Sequence, residues 1–249
     1  MKSLKHVSQK HNSMRKSVWF LLSVIALVSC TSNNTINMNV FETSASGNLH
    51  AVKDDFQKSE QHSAVSIDTK KRKQTILGFG GAFTEATAHN INLLSPENRT
   101  EIIDAYFGEE GAAYSLTRTH MNSCDFSVSN YSYTPVEGDT ALEHFTIDPD
   151  RADILPMIKD AQGVSKEGFK IFGSPWSAAP WMKDNNNYVG GKLKKEYYDT
   201  WALFFSKYVD AYREEGIDIW GFTVENEPHG NGNNWESMHY SPEEMTDFV

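Results

Sequence analysis

Short apolar runs alternate with stretches in which apolar residues recur every three or four positions, and this alternation begins near residue 74. The short runs have the length and the flanking turn residues of strands. Four strands are predicted, at residues 75–81, 114–118, 169–173 and 219–224. The last run is apolar almost throughout, which is typical of a strand that is buried on both faces.

Helices are predicted between these strands. Ser95, Pro96 and Glu97 follow one another as a capping serine, a first-turn proline and an early acid, which marks a helix start. Residues 151–162 predict a second helix, and an aromatic stripe predicts a third, which ends near Gly216. The stripe consists of Tyr197, Trp201, Phe204, Phe205, Tyr208 and Tyr212. Strands that alternate with helices predict an α/β fold built from parallel βα units.

The alternation breaks off at the end of the sequence. Ser241 and Glu244 form a capping-box pattern that predicts one more helix, and five residues follow Glu244. Four parallel strands and so short a helix cannot close a parallel sheet. We therefore expect a domain whose remaining strands lie downstream of Val249.

The first 29 residues have the pattern of an export signal. Five basic residues and no acidic ones precede an apolar segment at residues 18–28, which is too short to cross a membrane comfortably. The segment leads into Cys30, and this ending resembles the lipobox of bacterial lipoproteins. We expect residues 1–29 to be a lipoprotein-type signal peptide and Cys30 to be lipidated. The protein would then be exported to the bacterial cell envelope, in the outer membrane or periplasm, or secreted. An ordinary signal peptide and an N-terminal anchor helix are the alternatives.

The next segment is polar. Residues 30–60 are rich in turn-forming residues and predict a flexible tether between the lipid and the fold. Residues 64–68 alternate between apolar and polar side chains and meet a basic run at residues 70–73. This pattern predicts an exposed strand with a charged turn, outside the main core.

Charge and cysteine content restrict the partners. The net charge is −10, and removal of a signal segment that carries five basic residues would bring it to −15. So acidic an exported protein is not expected to bind nucleic acid, and it would meet a membrane only through its lipid. With Cys30 lipidated, Cys124 has no disulfide partner, and it is predicted to be a small buried hydrophobic residue rather than a catalytic thiol. The histidines show no metal-ligand spacing, so no metal or other cofactor is expected.

Polar and aromatic residues accumulate directly after each predicted strand. Parallel βα units place ligand sites at the carboxyl ends of their strands, so these residues are expected to share one edge of the sheet. The candidates are Asp125 after the second strand, Trp176 and Trp181 after the third, and Glu225, Asn226 and Glu227 after the fourth. Both tryptophans could belong to the core, but flat aromatic faces at the end of a strand suit the C–H surfaces of sugars. Asp125 could also cap a turn.

Two carboxylic acids flank an amide after the fourth strand. Glu225 and Glu227 are two residues apart, so a regular strand would point both side chains to the same face. Two carboxylates on one face raise each other's pKa, which would keep one protonated near neutral pH and able to protonate a leaving oxygen. Asn226 offers a donor and an acceptor to a sugar hydroxyl. The alternative is an acidic cluster at a helix cap or in a loop.

Arg118 lies on the second predicted strand, where an unpaired buried charge would be costly. It is expected to hold carboxylates by bidentate hydrogen bonds, as part either of the site or of the scaffold of the fold.

Four motifs occur in order along residues 74–249. They are Leu77-Gly78-Phe79-Gly80-Gly81-Ala82, Ser123-Cys124-Asp125-Phe126-Ser127, Ser174-Pro175-Trp176 and Asn226-Glu227-Pro228. Together they resemble the glucosylceramidase-like enzymes of glycoside hydrolase family 30. The resemblance implies a (β/α)8 TIM barrel, of which about the first four βα units are present here. It also implies a small β side domain, to which residues 61–73 would contribute.

The resemblance further implies retaining hydrolysis of a glucoside-like β-glycoside, in carbohydrate or sphingolipid metabolism. Glu227 matches the general acid/base, and Asn226 matches the residue that binds the sugar 2-hydroxyl. Asp125 and Trp176 resemble sugar-contacting residues, and Arg118 resembles an organiser of the site. Glu225 would be a neighbour that tunes the acid.

The family's nucleophile, a glutamate, lies on the seventh strand, which this sequence does not reach. These residues alone are therefore expected to be incomplete for catalysis. A second hypothesis is a surface lipoprotein that binds carbohydrate without cleaving it, or an inactive fragment. The motifs favour the enzyme, because a matched acid/base serves little purpose in a binding protein.

Overall fold

The computed structural model describes residues 40–45, 47–52, 66–229 and 234–249. The chain divides into two units, Met1–Arg72 and Lys73–Val249, which are treated separately below. The predicted signal peptide and the predicted lipidation site, Cys30, lie outside the described residues. Within the described ranges, no helix has both the length and the apolar character that crossing a membrane requires.

The first unit contains an antiparallel pair of strands, β1 (Val40–Ser44) and β2 (Gly47–Val52), with Val40 opposite Val52. The prediction of a flexible tether over residues 30–60 is therefore wrong for this segment, because its backbone groups pair in a ladder. Residues 66–73 contain no strand, in contrast to the strand predicted over residues 64–68. The predicted charged turn is present, since the backbone N–H of Lys71 donates to the carbonyl of Asp68 at 3.1 Å.

The second unit is organised around four parallel strands, as predicted. They are β3 (Ala82–Phe83), β4 (Leu116–Met121), β5 (Lys170–Pro175) and β6 (Ile219–Phe222), in the spatial order β3-β4-β5-β6. Ala82 lies opposite Arg118, and His120 lies opposite Ser174. Because all four strands run in one direction, their carboxyl ends form one edge of the sheet.

The first strand of this sheet is shorter and later than the predicted strand at residues 75–81. That segment lies outside the regular ladder, although the carbonyl of Phe79 accepts from the N–H groups of Ser115 and Leu116. Gly80 explains part of the difference. A Cβ at this position would lie 2.0 Å from the carbonyl oxygen of Leu116, so only glycine allows so close an approach to β4.

Six α-helices lie in the described part of this unit. They are α1 (Glu85–Asn92), α2 (Pro96–Phe107), α3 (Asp148–Arg151), α4 (Ile154–Val164), α5 (Tyr198–Glu214) and α6 (Pro242–Phe248). The predicted caps are confirmed. Ser95 accepts from the N–H of Asn98 at the start of α2, and Ser241 and Glu244 form a capping box at α6. Gly216, with φ of +78°, follows the end of α5.

The aromatic stripe of α5 builds much of the core. Trp201, Phe204, Tyr208 and Tyr212 are all fully buried. Trp201 stacks on Phe204 with ring centroids 4.3 Å apart. The predicted burial of the last strand on both faces is wrong, because Trp220 is 51% exposed and Phe222 is 39% exposed. In the described part of the chain, β6 pairs with β5 alone.

A buried carboxylic acid ties three segments of the core together. Asp150 accepts hydrogen bonds from the hydroxyls of Tyr133 and Tyr212, both at 2.6 Å, and from that of Tyr131 at 3.2 Å. Burial raises the pKa of Asp150 to about 6, and the three tyrosine hydrogen bonds oppose this rise. The pKa of this group in the folded protein therefore lies above its ordinary value.

Candidate active site

Arg118 connects the carboxyl ends of three neighbouring strands. It lies on β4, its Nε donates to the hydroxyl of Ser174 on β5 at 2.8 Å, and its Nη2 donates to Oδ1 of Asn226 after β6 at 2.7 Å. Thr223 also donates to the Ser174 hydroxyl, at 2.7 Å. The guanidinium is thus an organiser of the strand edge, although its described hydrogen bonds go to a hydroxyl and an amide rather than to the carboxylates that the sequence predicted.

The electrostatic surroundings of Arg118 combine partial burial with nearby acids. Burial lowers the pKa of Arg118 from its ordinary value, and the charges of Glu227 and Asp125 oppose this. The guanidinium carbon lies 4.4 Å from the centroid of the Trp176 ring, a cation–π contact. Arg118 therefore brings Trp176, Asn226 and the two acids into one neighbourhood.

Asn226 is held by its backbone as well as by its side chain. Its N–H donates to the carbonyl of Pro175 at 2.8 Å, and the N–H of Thr223 donates to the carbonyl of Gly173 at 3.0 Å. The chain after β6 is thereby fixed against the end of β5. Glu227, the next residue, is exposed and has φ of +47°, in the left-handed region.

The prediction that Glu225 and Glu227 share one face is wrong. The strand ends at Phe222, so residues 223–227 do not keep the alternation of a strand. Glu225 is buried, whereas Glu227 is exposed. Burial raises the pKa of Glu225 well above its ordinary value, and the charge of Lys183 opposes this. The sequence predicted that repulsion between the two acids would raise the pKa. In the structure, burial raises the pKa of Glu225 and the charge of Lys183 lowers it.

The remaining predicted residues lie in different surroundings. Asp125 is exposed and close enough to Arg118 for its charge to act there. Trp181 belongs to the hydrophobic core, with its indole N–H donating to the carbonyl of Thr134 at 3.0 Å. These contacts favour the core alternative for Trp181. Cys124 is buried, and burial raises the pKa of its thiol to about 12, which fits a buried hydrophobic residue.

His120 is a neighbour of the site that the sequence analysis missed. Its Nε2 accepts from the backbone N–H of Glu85 at 3.1 Å, so Nδ1 carries the proton and donates to the carbonyl of Asn122 at 2.7 Å. Burial lowers the pKa of His120 to about 4, which keeps the ring neutral. The ring meets Trp176 edge-on, with centroids 6.4 Å apart. The sequence did carry one signal for it. His120 lies two residues after Arg118 on a strand, and residues at this spacing point to the same face.

No three histidine, cysteine, aspartate or glutamate side chains among the described residues are grouped so as to hold a metal ion. The polar groups at this edge are instead two carboxylic acids, an amide and a guanidinium beside an indole ring. Such a set can donate a proton, hold a hydroxyl and stack on a sugar ring.

Parallel βα units that carry such a set at their carboxyl ends are typical of barrel-type glycosidases. The family model described as the glycosyl hydrolase family 30 TIM-barrel domain matches residues 76–249. The chain belongs to glycosyl hydrolase family 30. The predicted family and the predicted TIM-barrel class are thereby confirmed.

Individual relatives agree with this assignment. The chain is 34% identical to lysosomal acid glucosylceramidase of Mus musculus over 194 residues, which cover 74% of this chain and 38% of the relative. The solved structure of SrfJ from Salmonella typhimurium is 36% identical, with a TM-score of 0.67 and coverage of 70% and 39%. The solved endo-β1,6-glucanase BT3312 is 31% identical, with a TM-score of 0.68 and coverage of 74% and 42%. The chain thus spans about two fifths of the length of these relatives.

Proposed function

We propose that this chain supplies the acid/base half of the active site of a retaining β-glycoside hydrolase. The observation that carries the proposal is the hydrogen bond from Arg118 to Asn226, made by a guanidinium that also lies over the ring of Trp176. It gathers an amide and an indole at the sheet edge, beside the exposed carboxyl of Glu227. Sugar cleavage uses a proton donor, a hydroxyl grip and an apolar ring surface in one place.

Glu227 is the proposed general acid/base. In the first step it donates a proton to the glycosidic oxygen as the bond to the anomeric carbon breaks. In the second step the same carboxylate accepts a proton from the water that attacks the glycosyl intermediate. Exposure of Glu227 at the strand edge gives it access to both the leaving group and water.

Asn226 is the residue proposed to bind the sugar 2-hydroxyl. Its Oδ1 accepts from Arg118, so its NH2 group is turned away from the guanidinium and can donate to the hydroxyl oxygen. Arg118 thereby fixes the orientation of the amide. Trp176 and Asp125 are the proposed sugar contacts, the first through its ring and the second through its carboxylate.

Retaining hydrolysis also needs a nucleophilic carboxylate about 5 Å from the acid/base. We propose that this glutamate belongs to a part of the protein downstream of Val249. Asp125 does not take that role, because the resemblance assigns it to sugar binding. Activity is therefore proposed for the longest protein that the reading frame encodes.

The proposed substrate is a β-linked glucoside. Two relatives are named for acting on glucosylceramide and on β-1,6-glucan, so a lipid-linked and a polymeric glucoside are both to be tested.

We also propose that the protein is exported and attached to the cell envelope through a lipid on Cys30. Loss of fatty-acid labelling in a Cys30→Ser variant is the expected result for a lipid at that residue.

The reaction class is tested with the longest encoded protein and an aryl β-glucoside, glucosylceramide or a β-1,6-glucan. Proton NMR during the first minutes should show the β-anomer of the released sugar before it equilibrates. Early α-anomer would contradict a retaining mechanism. Binding by calorimetry without any released sugar would favour a carbohydrate-binding protein instead.

A further inference from the structure

A lysine in the chain segment after β5 is fully buried. Lys183 has no exposed surface, and its ammonium donates to the hydroxyl of Ser177 at 2.7 Å, to the carbonyl of Ser237 at 2.8 Å and to the carbonyl of Tyr188 at 3.0 Å. An ammonium has three protons, and here each has an acceptor. A buried cation with this geometry fixes its surroundings, because loss of any acceptor would leave a charge poorly solvated.

The three acceptors belong to separate stretches of chain. Ser177 follows β5, Tyr188 lies in the loop at residues 184–193, and Ser237 lies between β6 and α6. Two hydrogen bonds from backbone N–H groups join the same loops. The N–H of Ser237 donates to the carbonyl of Tyr188 at 3.0 Å, and the N–H of Gly190 donates to the hydroxyl of Ser237 at 2.9 Å. Through its three hydrogen bonds, Lys183 therefore connects the chain after β5 with the chain after β6.

The acid that acts most strongly on this lysine is Glu225, two residues before Glu227. Asp184, the next residue in the chain after the lysine, acts in the same direction. Both carboxylate oxygens of Glu225 are buried and have no hydrogen-bond partner among the described residues. Burial lowers the pKa of Lys183 to about 7, and the charge of Glu225 opposes this, just as Lys183 opposes the rise at Glu225. The two groups thus lower each other's cost of burial, and Glu225 directly precedes Asn226 and Glu227 in the chain.

We propose that Lys183 is a positioning residue, which fixes the chain segments after β5 and β6 and, with Glu225 as its counter-charge, holds Glu227 in place over the sugar. Lys183 is fully buried, so it acts through the loops rather than by touching substrate. The catalytic part of this inference rests on the proposed function, whereas the connection between the loops does not. An experiment therefore has to read the two parts separately.

The experiment compares Lys183→Met with Lys195→Met in the longest encoded protein. Lys195 is exposed and paired with Asp247 at 2.9 Å, so its substitution is a matched control. In Lys183→Met, amide hydrogen exchange of residues 184–193 and 234–240 should speed up about 10-fold or more. Turnover should fall about 10- to 100-fold with KM changed less than about 3-fold, because a misplaced acid slows chemistry more than binding. Lys195→Met should change neither quantity.

A second substitution tests the counter-charge. Glu225→Gln alone removes the stronger of the two acids that act on Lys183, whereas Lys183→Met with Glu225→Gln removes the lysine charge as well. The double variant should therefore lose less turnover than the product of the two single losses. Ser177→Ala removes one of the three acceptors, and it replaces Lys183→Met in the comparison if that variant does not fold.

The outcomes that would overturn the role of Lys183 differ from the outcome that would overturn the proposed function. Unchanged exchange in the two loops, strictly multiplicative losses, or a loss of turnover that only follows the folded fraction would overturn the role of Lys183. If the wild type releases no sugar from any β-glucoside, the proposed function falls. The exchange rates, and a double-mutant cycle measured on unfolding, then still decide whether Lys183 and Glu225 hold the loops together.

Discussion

Replacement of Glu227 by glutamine is expected to lower the hydrolysis of β-glucosides with poor leaving groups by about 10²- to 10⁴-fold. An amide has the size of the acid but cannot protonate the departing oxygen. The hydrogen bonds of Asn226 to Arg118 and Pro175 do not involve the Glu227 side chain and should persist. Substrate binding should therefore change much less than turnover.

The leaving group provides the decisive comparison. An alkyl β-glucoside depends on the proton, whereas a dinitrophenyl β-glucoside leaves as a stable anion and needs little protonation. The ratio of kcat/KM for wild type and Glu227→Gln should be large for the first substrate and much smaller for the second. Glu214→Gln, on the exposed side of α5, is the control and should leave both values unchanged. Equal losses on the two substrates would refute the assignment of Glu227 as the acid.

The stability of the fold is expected to decrease between pH 4 and pH 7 through Asp150. The pKa of Asp150 is about 6 in the folded protein and ordinarily near 3.8, so the folded state binds the proton more tightly. The stabilisation is present in full below the lower value and is lost as the pH rises through the higher one. Roughly 3 kcal/mol of unfolding free energy is involved, since each pH unit between the two values corresponds to about 1.4 kcal/mol.

Urea unfolding at pH 4.5 and pH 7 measures this loss. Asp150→Asn carries a neutral side chain at every pH, so the fall in unfolding free energy should be smaller by about 2 kcal/mol than in the wild type. Asp148→Asn, an exposed residue of the same helix, should keep the pH dependence of the wild type. The role of Asp150 would be disproved if both variants showed the same slope with pH.

Local patterns predicted the elements of the barrel well. Ser95, Ser241 and the aromatic stripe of α5 act within a few residues of themselves, so their signals are present in short windows of sequence. The first strand was misplaced because its pairing depends on Gly80 passing close to Leu116, which lies 36 residues later. The antiparallel pair β1–β2 was missed because the composition of residues 30–60 is that of a loop.

The site was predictable in part for the same reason. Trp176 directly follows β5, and Asn226 and Glu227 come a few residues after β6. Parallel strands bring such residues together at one edge of the sheet whatever the details of register. Lys183 carries no such signal, since its three acceptors are as far away as Ser237 and depend on how loops fold. Glu225 is buried and Glu227 is exposed because β6 ends before both of them. Sequence patterns define the ends of elements least well.

The backbone at Glu227 places opposite demands on one position. Its φ of +47° lies in a region that costs a residue with a Cβ roughly 1–2 kcal/mol and that glycine adopts without strain. The fold is therefore served best by glycine at this position, whereas the proposed reaction requires a carboxylic acid. Selection for thermal stability alone would drive position 227 away from glutamate. With the proposed role, glutamate at position 227 gives up stability for activity, at the residue that would protonate the leaving group.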